Sequence, residues 1–195
     1  MLPPEPVFLD RDGVLNENVP DYIRTESQWV PLPGALEAAA VLSMSGHPLI
    51  VVTNQSAVGR GLMTLEAVAR INSLLERRIA SLGGRIDAVY LCPHAPWENC
   101  RCRKPATGMV EDARADLGLP RGGWLVGDAW SDIGMGAAAG LRTIMVMTGR
   151  GAGQMASGCP CGSSSPDFVV EDLNGAARII LQHDGGLPPP CRTEA

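Results

Sequence analysis

Cys92, His94, Cys100 and Cys102 fall within eleven residues of the stretch VYLCPHAPWENCRCRKP, and two cations, Arg103 and Lys104, follow at once. The C-x-H-x5-C-x-C spacing puts three thiolates and one imidazole within reach of a single ion. Such a set suits tetrahedral Zn2+, closes all four positions and leaves none for water, which marks a structural site. A loop this short has little core of its own, and metal binding can supply its folding free energy, about 10–16 kcal/mol in zinc-finger peptides. Zinc is therefore expected to fix the 92–102 loop in one shape and to aim Arg103 and Lys104 at whatever lies beside it. Trp97, inside the loop, either lines a ligand pocket or covers the metal.

A second constellation is spread along the chain. FLDRDGVLN carries Asp10 and Asp12 ahead of Gly13, VVTNQS carries Thr53 and Asn54, and WLVGDAWSD carries Asp128 and Asp132. Taken alone, Asp12-Gly13 is a turn former, and Asp132 could cap a helix or orient Lys104. Taken together, they need an explanation. Carboxylates held close together stay ionised when a cation is present, and with oxygen ligands only the leading candidate is Mg2+. A carboxylate beside such an ion can attack phosphorus to form an aspartyl-phosphate. A second carboxylate can protonate the leaving oxygen and later deprotonate water. Thr53 offers a hydroxyl and an N–H to phosphoryl oxygens, and Lys104 a positive charge against the transferring group. With Lys104 so committed, Arg103 and Arg60 remain to hold a second anion, and an arginine fork suits a phosphate that is bound but not cleaved.

These groups meet only if the chain places them on one edge. Short apolar runs at Pro6–Leu9, Pro48–Val52, Ile86–Leu91, Gly123–Val126, Arg142–Met147 and Asp167–Val170 read as strands buried on both faces. Between them, Gly34–Ser45, Thr64–Leu82, Thr107–Leu117, Ser131–Ala139 and Leu173–Gln182 read as helices, with Thr64 a plausible N-cap. The alternation predicts an α/β fold, a mostly parallel sheet covered on both sides. Ligands then bind beyond the carboxyl ends of the strands, where Asp10, Asp12, Thr53, Lys104 and Asp128 all fall. Residues 149–166, rich in Gly and Ser, and the tail from 185, with three consecutive prolines, read as irregular. One domain over 1–184 and a flexible tail over 185–195 are expected.

Composition narrows the partners. The 195 residues carry 16 basic and 21 acidic side chains for a net charge of -5, no footprint for nucleic acid or a membrane surface. The first residues lack the basic flank and apolar run of a signal peptide, and no apolar stretch approaches the roughly 20 residues a membrane helix needs. A soluble, cytoplasmic monomer acting on a small molecule is expected. Cys159 and Cys161 form a pair too small to complete a zinc site.

D-x-D-G at the first strand end, Thr at the second, a later Lys and G-D-x-x-x-D resemble the haloacid dehalogenase superfamily of phosphatases over residues 7–132. Within it, FLDRDGVLN, TNQSAVGRG and CPHAPWENCRCRKPATGM resemble the D-glycero-D-manno-heptose 1,7-bisphosphate phosphatases and, less closely, the histidinol-phosphate phosphatases, which share the zinc loop. The resemblance implies a three-layer Rossmann-like fold without a large cap domain. It implies Asp10 as nucleophile, Asp12 as acid/base, and Thr53 and Lys104 as phosphate binders. Mg2+ would be held by Asp10, the backbone carbonyl of Asp12 and Asp128. Asn54, Arg60 and Arg103 are expected to bind the remainder of a sugar phosphate. The Ser after Gln55, Gly-Met after Lys104 and the Tyr of NENVPDYI favour the sugar-phosphate group, whereas Ala57 and residues 149–166 depart from it.

Rival functions fit less of the pattern. A zinc-containing binding module explains the cysteines but not the aspartates. A phospho-accepting receiver domain needs no zinc loop, and a mutase needs a closed cap to exclude water. Histidinol phosphate carries an ammonium and an imidazole, which would want acidic or metal-proximal partners where this chain offers arginine.

Overall fold

The computed structural model describes residues 4–161 and 164–184. Six strands form one parallel sheet: β1 (Val7–Leu9), β2 (Leu49–Asn54), β3 (Ala88–Cys92), β4 (Trp124–Gly127), β5 (Arg142–Val146) and β6 (Phe168–Val170), in the order β3-β2-β1-β4-β5-β6. The order reverses at β1, which pairs with β2 on one side and β4 on the other, and this is the switch point where α/β sheets open a ligand crevice. Helices α1 (Ala35–Met44), α2 (Leu65–Ser81), α3 (Gly108–Leu117), α4 (Trp130–Ala138) and α5 (Gly151–Ala156) lie in the five connections, and α6 (Leu173–Asp184) follows β6.

Three layers follow from the period-2 alternation of strand side chains. Val7, Leu9, Leu49, Val51, Trp124, Val126, Ile144 and Val146 face one core with residues of α1, α2 and α6. Phe8, Ile50, Val52 and Leu125 face the other with Met109, Val110 and Ala113 of α3 and Met135 of α4. The central stretches of the strands are therefore apolar on both faces, with polar residues such as Thr53 and Asn54 at their ends, and no connection is large enough to build a cap domain. No helix among the described residues is long and apolar enough to cross a membrane.

Two expectations need correction. The 149–166 segment is not wholly irregular: α5 forms at Gly151–Ala156. Local propensity hides it, since two of its six residues are glycine. Tertiary contacts hold it, because the Trp130 indole N–H donates to the Gln154 carbonyl at 3.0 Å and Gly151 packs where a Cβ would strike the Val146 carbonyl. The two strands that lead to Thr53 and the zinc loop also end later than expected. β2 reaches Asn54 and β3 reaches Cys92, so Thr53, Asn54 and the first zinc-ligand candidate belong to the ladder itself. The 185–195 tail lies outside the described residues.

Candidate active site

Asp10 leaves β1 with its N–H still bonded to the Val126 carbonyl at 3.0 Å, so the sheet fixes its backbone. The chain then turns sharply. Gly13 (φ 92°) brings its backbone against the Asp128 carboxylate, where any Cβ would collide with Oδ2. Only glycine permits both the left-handed backbone and that approach. The Asp128 and Asp10 carboxylates are thereby brought to one point from neighbouring strands.

Lys104 arrives from the far end of the 92–102 loop. Its ammonium is buried and touches Asp10 Oδ1 at 2.8 Å, Asp132 Oδ1 at 2.5 Å and the Val52 carbonyl at 3.1 Å. Burial pulls its pKa down, but the two carboxylates outweigh that and hold it above the ordinary lysine value. Asp132 also accepts the Ala129 N–H at 3.0 Å with Oδ2, so one carboxylate opens α4 and anchors Lys104. Asn54 brackets the same residue, accepting the Lys104 N–H at 3.1 Å. Its side chain thus serves the lysine's backbone as well as lining the pocket. Thr53 is buried, its hydroxyl accepting from the Gln55 amide at 2.9 Å.

Asp12 is held differently. Arg11, fully buried and anchored to Asn72 of α2 at 2.9 Å, grips both its oxygens, Nε to Oδ1 at 3.0 Å and Nη2 to Oδ2 at 3.1 Å. Asn16 and Gln55 donate to the same carboxylate. Burial alone would raise this carboxyl, but the Arg11 charge and these bonds carry it below the ordinary carboxylate range. The resting Asp12 is an ionised group.

The charges do not balance around Asp10 and Asp128. Arg11 answers Asp12, the half-exposed Arg150 reaches Asp128, and Lys104 is shared between Asp10 and Asp132, so four carboxylates meet three cations. Burial, reinforced by Asp132 and Asp128 and opposed by Lys104, pushes the Asp10 carboxyl up to about 7. Oxygens of Asp10, Asp128 and Asp132 lie within 4.8 Å of one another, all buried. A hard divalent cation fits this excess of negative charge. With Asp132 engaged by Lys104 and Ala129, and the Asp12 carboxylate by Arg11, the donors left to an ion are Asp10, beside Lys104, and Asp128, in exchange for its contact with the half-exposed Arg150.

The four donors of the cysteine-histidine loop lie within 4.8 Å of one another, close enough to share one ion. Tetrahedral zinc with ordinary bond lengths sets its sulfurs about 3.8 Å apart and sulfur to nitrogen about 3.6 Å. Cys92–Cys100 and Cys100–Cys102 are each 3.5 Å, Cys92–His94 Nδ1 is 3.7 Å and Cys102–His94 Nδ1 is 3.2 Å. The cysteines are free rather than paired. The four donors fit zinc closely.

A cavity of about 540 Å3, ample for a phosphorylated sugar, opens above these groups, lined by Asp10, Asp12, Thr53 and Lys104 together with Arg60, Arg103 and Arg150. One guanidinium nitrogen of Arg103 is buried without a hydrogen-bond partner. Arg150, absent from the sequence expectations, bonds Asp128 through its N–H at 2.8 Å and its guanidinium at 3.1 Å. Arg11 and Gln55 were likewise missed. The charged residue between the two aspartates was the available signal for Arg11, whereas Arg150 sits in the segment read as irregular.

A parallel sheet with aspartates at its switch point, an ion-paired lysine and a hydroxyl beside them defines a class, the phosphoryl-transfer enzymes that work through a strand-end carboxylate. The HAD-hydrolase-like family model matches residues 101–176. The chain is 35% identical to the D-glycero-beta-D-manno-heptose-1,7-bisphosphate 7-phosphatase of Pseudomonas aeruginosa, over 90% of this chain and 97% of that one. It is 40% identical to the D-glycero-alpha-D-manno-heptose-1,7-bisphosphate 7-phosphatase of Mycobacterium tuberculosis, over 77% and 83%. The crystal structure of the D,D-heptose 1,7-bisphosphate phosphatase from Bordetella bronchiseptica, complexed with magnesium and phosphate, superposes with a TM-score of 0.86 at 35% identity, covering 92% and 99% of the chains. The chain belongs to the haloacid dehalogenase-like hydrolases.

Proposed function

We propose that this protein removes the 7-phosphate of D-glycero-D-manno-heptose 1,7-bisphosphate, leaving the anomeric phosphate in place. The observation that carries the reading is the Lys104 ammonium, 2.8 Å from Asp10 and lining one cavity with three arginines. That cavity offers cationic groups for two phosphates, one over the carboxylate that reacts and one beyond it. Its cationic lining counts against histidinol phosphate, whose remaining groups are themselves basic.

The chemistry follows from the side chains. An Asp10 oxygen attacks phosphorus as the bond from phosphorus to the sugar O7 breaks, and an aspartyl-phosphate forms. Asp12, protonated for this step, gives its proton to O7. Arg11 opposes that protonation, so the carboxyl turns from the Arg11 fork toward the leaving oxygen. As the ionised group that Arg11 favours, it then takes a proton from the water that attacks phosphorus and frees Asp10. Lys104 and the Thr53 hydroxyl hold the phosphoryl oxygens throughout, with Lys104 kept charged by Asp132. Asp10, Asp128 and the backbone carbonyl of Asp12 would hold Mg2+, which when bound screens nucleophile and phosphoryl group from each other's charge. Zn2+ on Cys92, His94, Cys100 and Cys102 would be structural, fixing the loop that delivers Arg103 and Lys104. Arg103 and Arg60 hold the phosphate that is not cleaved. The net charge of -5 supports a soluble monomer, and the unpaired thiols of the zinc loop support a reducing compartment such as the cytoplasm.

The test is a hydrolysis panel of both anomers of heptose 1,7-bisphosphate, heptose 7-phosphate and histidinol phosphate. A bisphosphate should have the highest kcat/KM, because binding energy at the second phosphate is available to the transition state. If histidinol phosphate wins, the reading fails.

A further inference from the structure

The zinc loop carries one large side chain that its metal does not use. Trp97 is 64% exposed, so its indole fills no core. The Arg60 guanidinium lies over that ring, 4.9 Å from its centroid, within the range of a cation–π contact. Arg60 lines the cavity that also holds Asp10, Lys104 and Arg103, and among the described residues no carboxylate pairs with it.

The turn bearing Arg60 is fastened to the zinc loop along its length. Gln55 N–H donates to the Cys92 carbonyl and Gly59 N–H to the Pro93 carbonyl, both at 2.8 Å. A Cβ on Gly59 would fall against the Ala95 nitrogen and the Pro93 oxygen, so only glycine lets the turn lie this close. The placement of Arg60 therefore depends on the loop twice, through its backbone seat and through the indole beneath its charge.

We propose that Trp97 is a positioning residue that presents Arg60 to the phosphate held but not cleaved, so that the zinc loop sets preference for a bisphosphate as well as delivering Lys104. The proposal rests on the bisphosphate reading above. A guanidinium on a flexible stem loses rotamer freedom when it binds an anion, and an aromatic shelf removes part of that cost beforehand. Stacking leaves the guanidinium edge, where its donors lie, available to phosphate. An indole that instead touched the sugar would favour every phosphorylated heptose alike.

The experiment compares kcat/KM for heptose 1,7-bisphosphate and heptose 7-phosphate in the wild type, Arg60→Ala, Trp97→Ala and Trp97→Phe, with zinc content and melting temperature measured on each. Trp97→Ala should raise KM for the bisphosphate roughly 2- to 5-fold, the weight of an exposed cation–π contact, and leave the 7-phosphate unchanged. Arg60→Ala should lower the bisphosphate preference by about tenfold or more, as loss of a charge-assisted bond implies. Trp97→Phe should restore most of the preference. Titration of bisphosphate into Asp10→Asn protein, with and without Trp97→Ala, should show the same 2- to 5-fold loss in affinity without turnover. A wild type indifferent to the second phosphate overturns the bisphosphate reading and this proposal with it. A wild-type preference left undiminished by Arg60→Ala or by Trp97→Ala overturns the proposal alone, as does an equal loss on both substrates in Trp97→Ala.

Discussion

Replacing Asp132 probes the buried charge network without touching the proposed nucleophile. Its Oδ1 pairs with Lys104 at 2.5 Å and its Oδ2 accepts the N–H of Ala129, the residue that caps the start of α4, with the side chain 1% exposed. Removing one partner of a buried ion pair costs about 3–5 kcal/mol when the other charge is left uncompensated, and Lys104 keeps Asp10 at 2.8 Å, so that range is an upper bound. Removing the acceptor at a helix start adds about 1 kcal/mol. Asp132→Ala should thus lose up to about 4–6 kcal/mol, or at most roughly 8–24 °C in melting temperature for a chain of this length. Asp132→Asn keeps an oxygen for the Ala129 N–H but not the charge, so its loss should be smaller, at most about 3–5 kcal/mol. In both variants Lys104 retains only Asp10 as an anionic partner, which draws the ammonium onto the carboxylate proposed to attack. Turnover should fall with stability, and kcat should suffer more than KM. Calorimetry beside steady-state kinetics reads both effects. Combining Lys104→Met with Asp132→Ala should cost less than the sum of the single changes, by about 0.5–3 kcal/mol. An Asp132→Ala protein melting within about 2 °C of the wild type, with unchanged kcat, would refute the reasoning.

Asp10→Asn should abolish phosphate release, by roughly 10³-fold or more, while the melting temperature stays near or above that of the metal-free wild type, because a buried charge is removed. Cys100→Ala should drop bound zinc from about one per chain to near zero and lower turnover by releasing Lys104, with the metal content read by elemental analysis. Metal-free Asp10 titrates at about 7 against an ordinary 3.8, so its proton competes with Mg2+. The apparent Mg2+ dissociation constant by calorimetry should rise about tenfold per pH unit below 7. For the same reason this group's contribution to metal-free stability is greatest below its ordinary pKa and is lost as pH rises through 7. The rise in melting temperature on adding Mg2+ should therefore be larger at pH 8 than at pH 6.

The parallel sheet was legible because its strands are apolar on both faces, so short hydrophobic runs separated by helical patterns allow few other arrangements. The acidic cluster was legible for a related reason: an α/β sheet sends every strand end to one edge, and Asp10, Thr53 and Asp128 each stand at one. The four zinc-ligand candidates could be read from spacing alone. What escaped is what tertiary contact decides. Helix α5 depends on Trp130 and the close packing of Gly151 rather than on helix formers, and it carries Arg150 into the cavity. Arg11 looks like a solvated charge in the sequence, yet the structure buries it between Asn72 and Asp12. Asp132 left two readings open, helix start or partner of Lys104, and its two oxygens serve both.

The central claim is a covalent phosphatase built on Asp10, and trapping the intermediate tests it most directly. Protein turning over labelled heptose 1,7-bisphosphate is quenched in acid, reduced with borohydride and mapped by peptide mass spectrometry. The account predicts acid-stable label on the protein that borohydride releases, with homoserine in place of aspartate at residue 10. Turnover of the bisphosphate with no trapped acyl-phosphate, or with the modification at Asp12 or Asp128 instead, would contradict it.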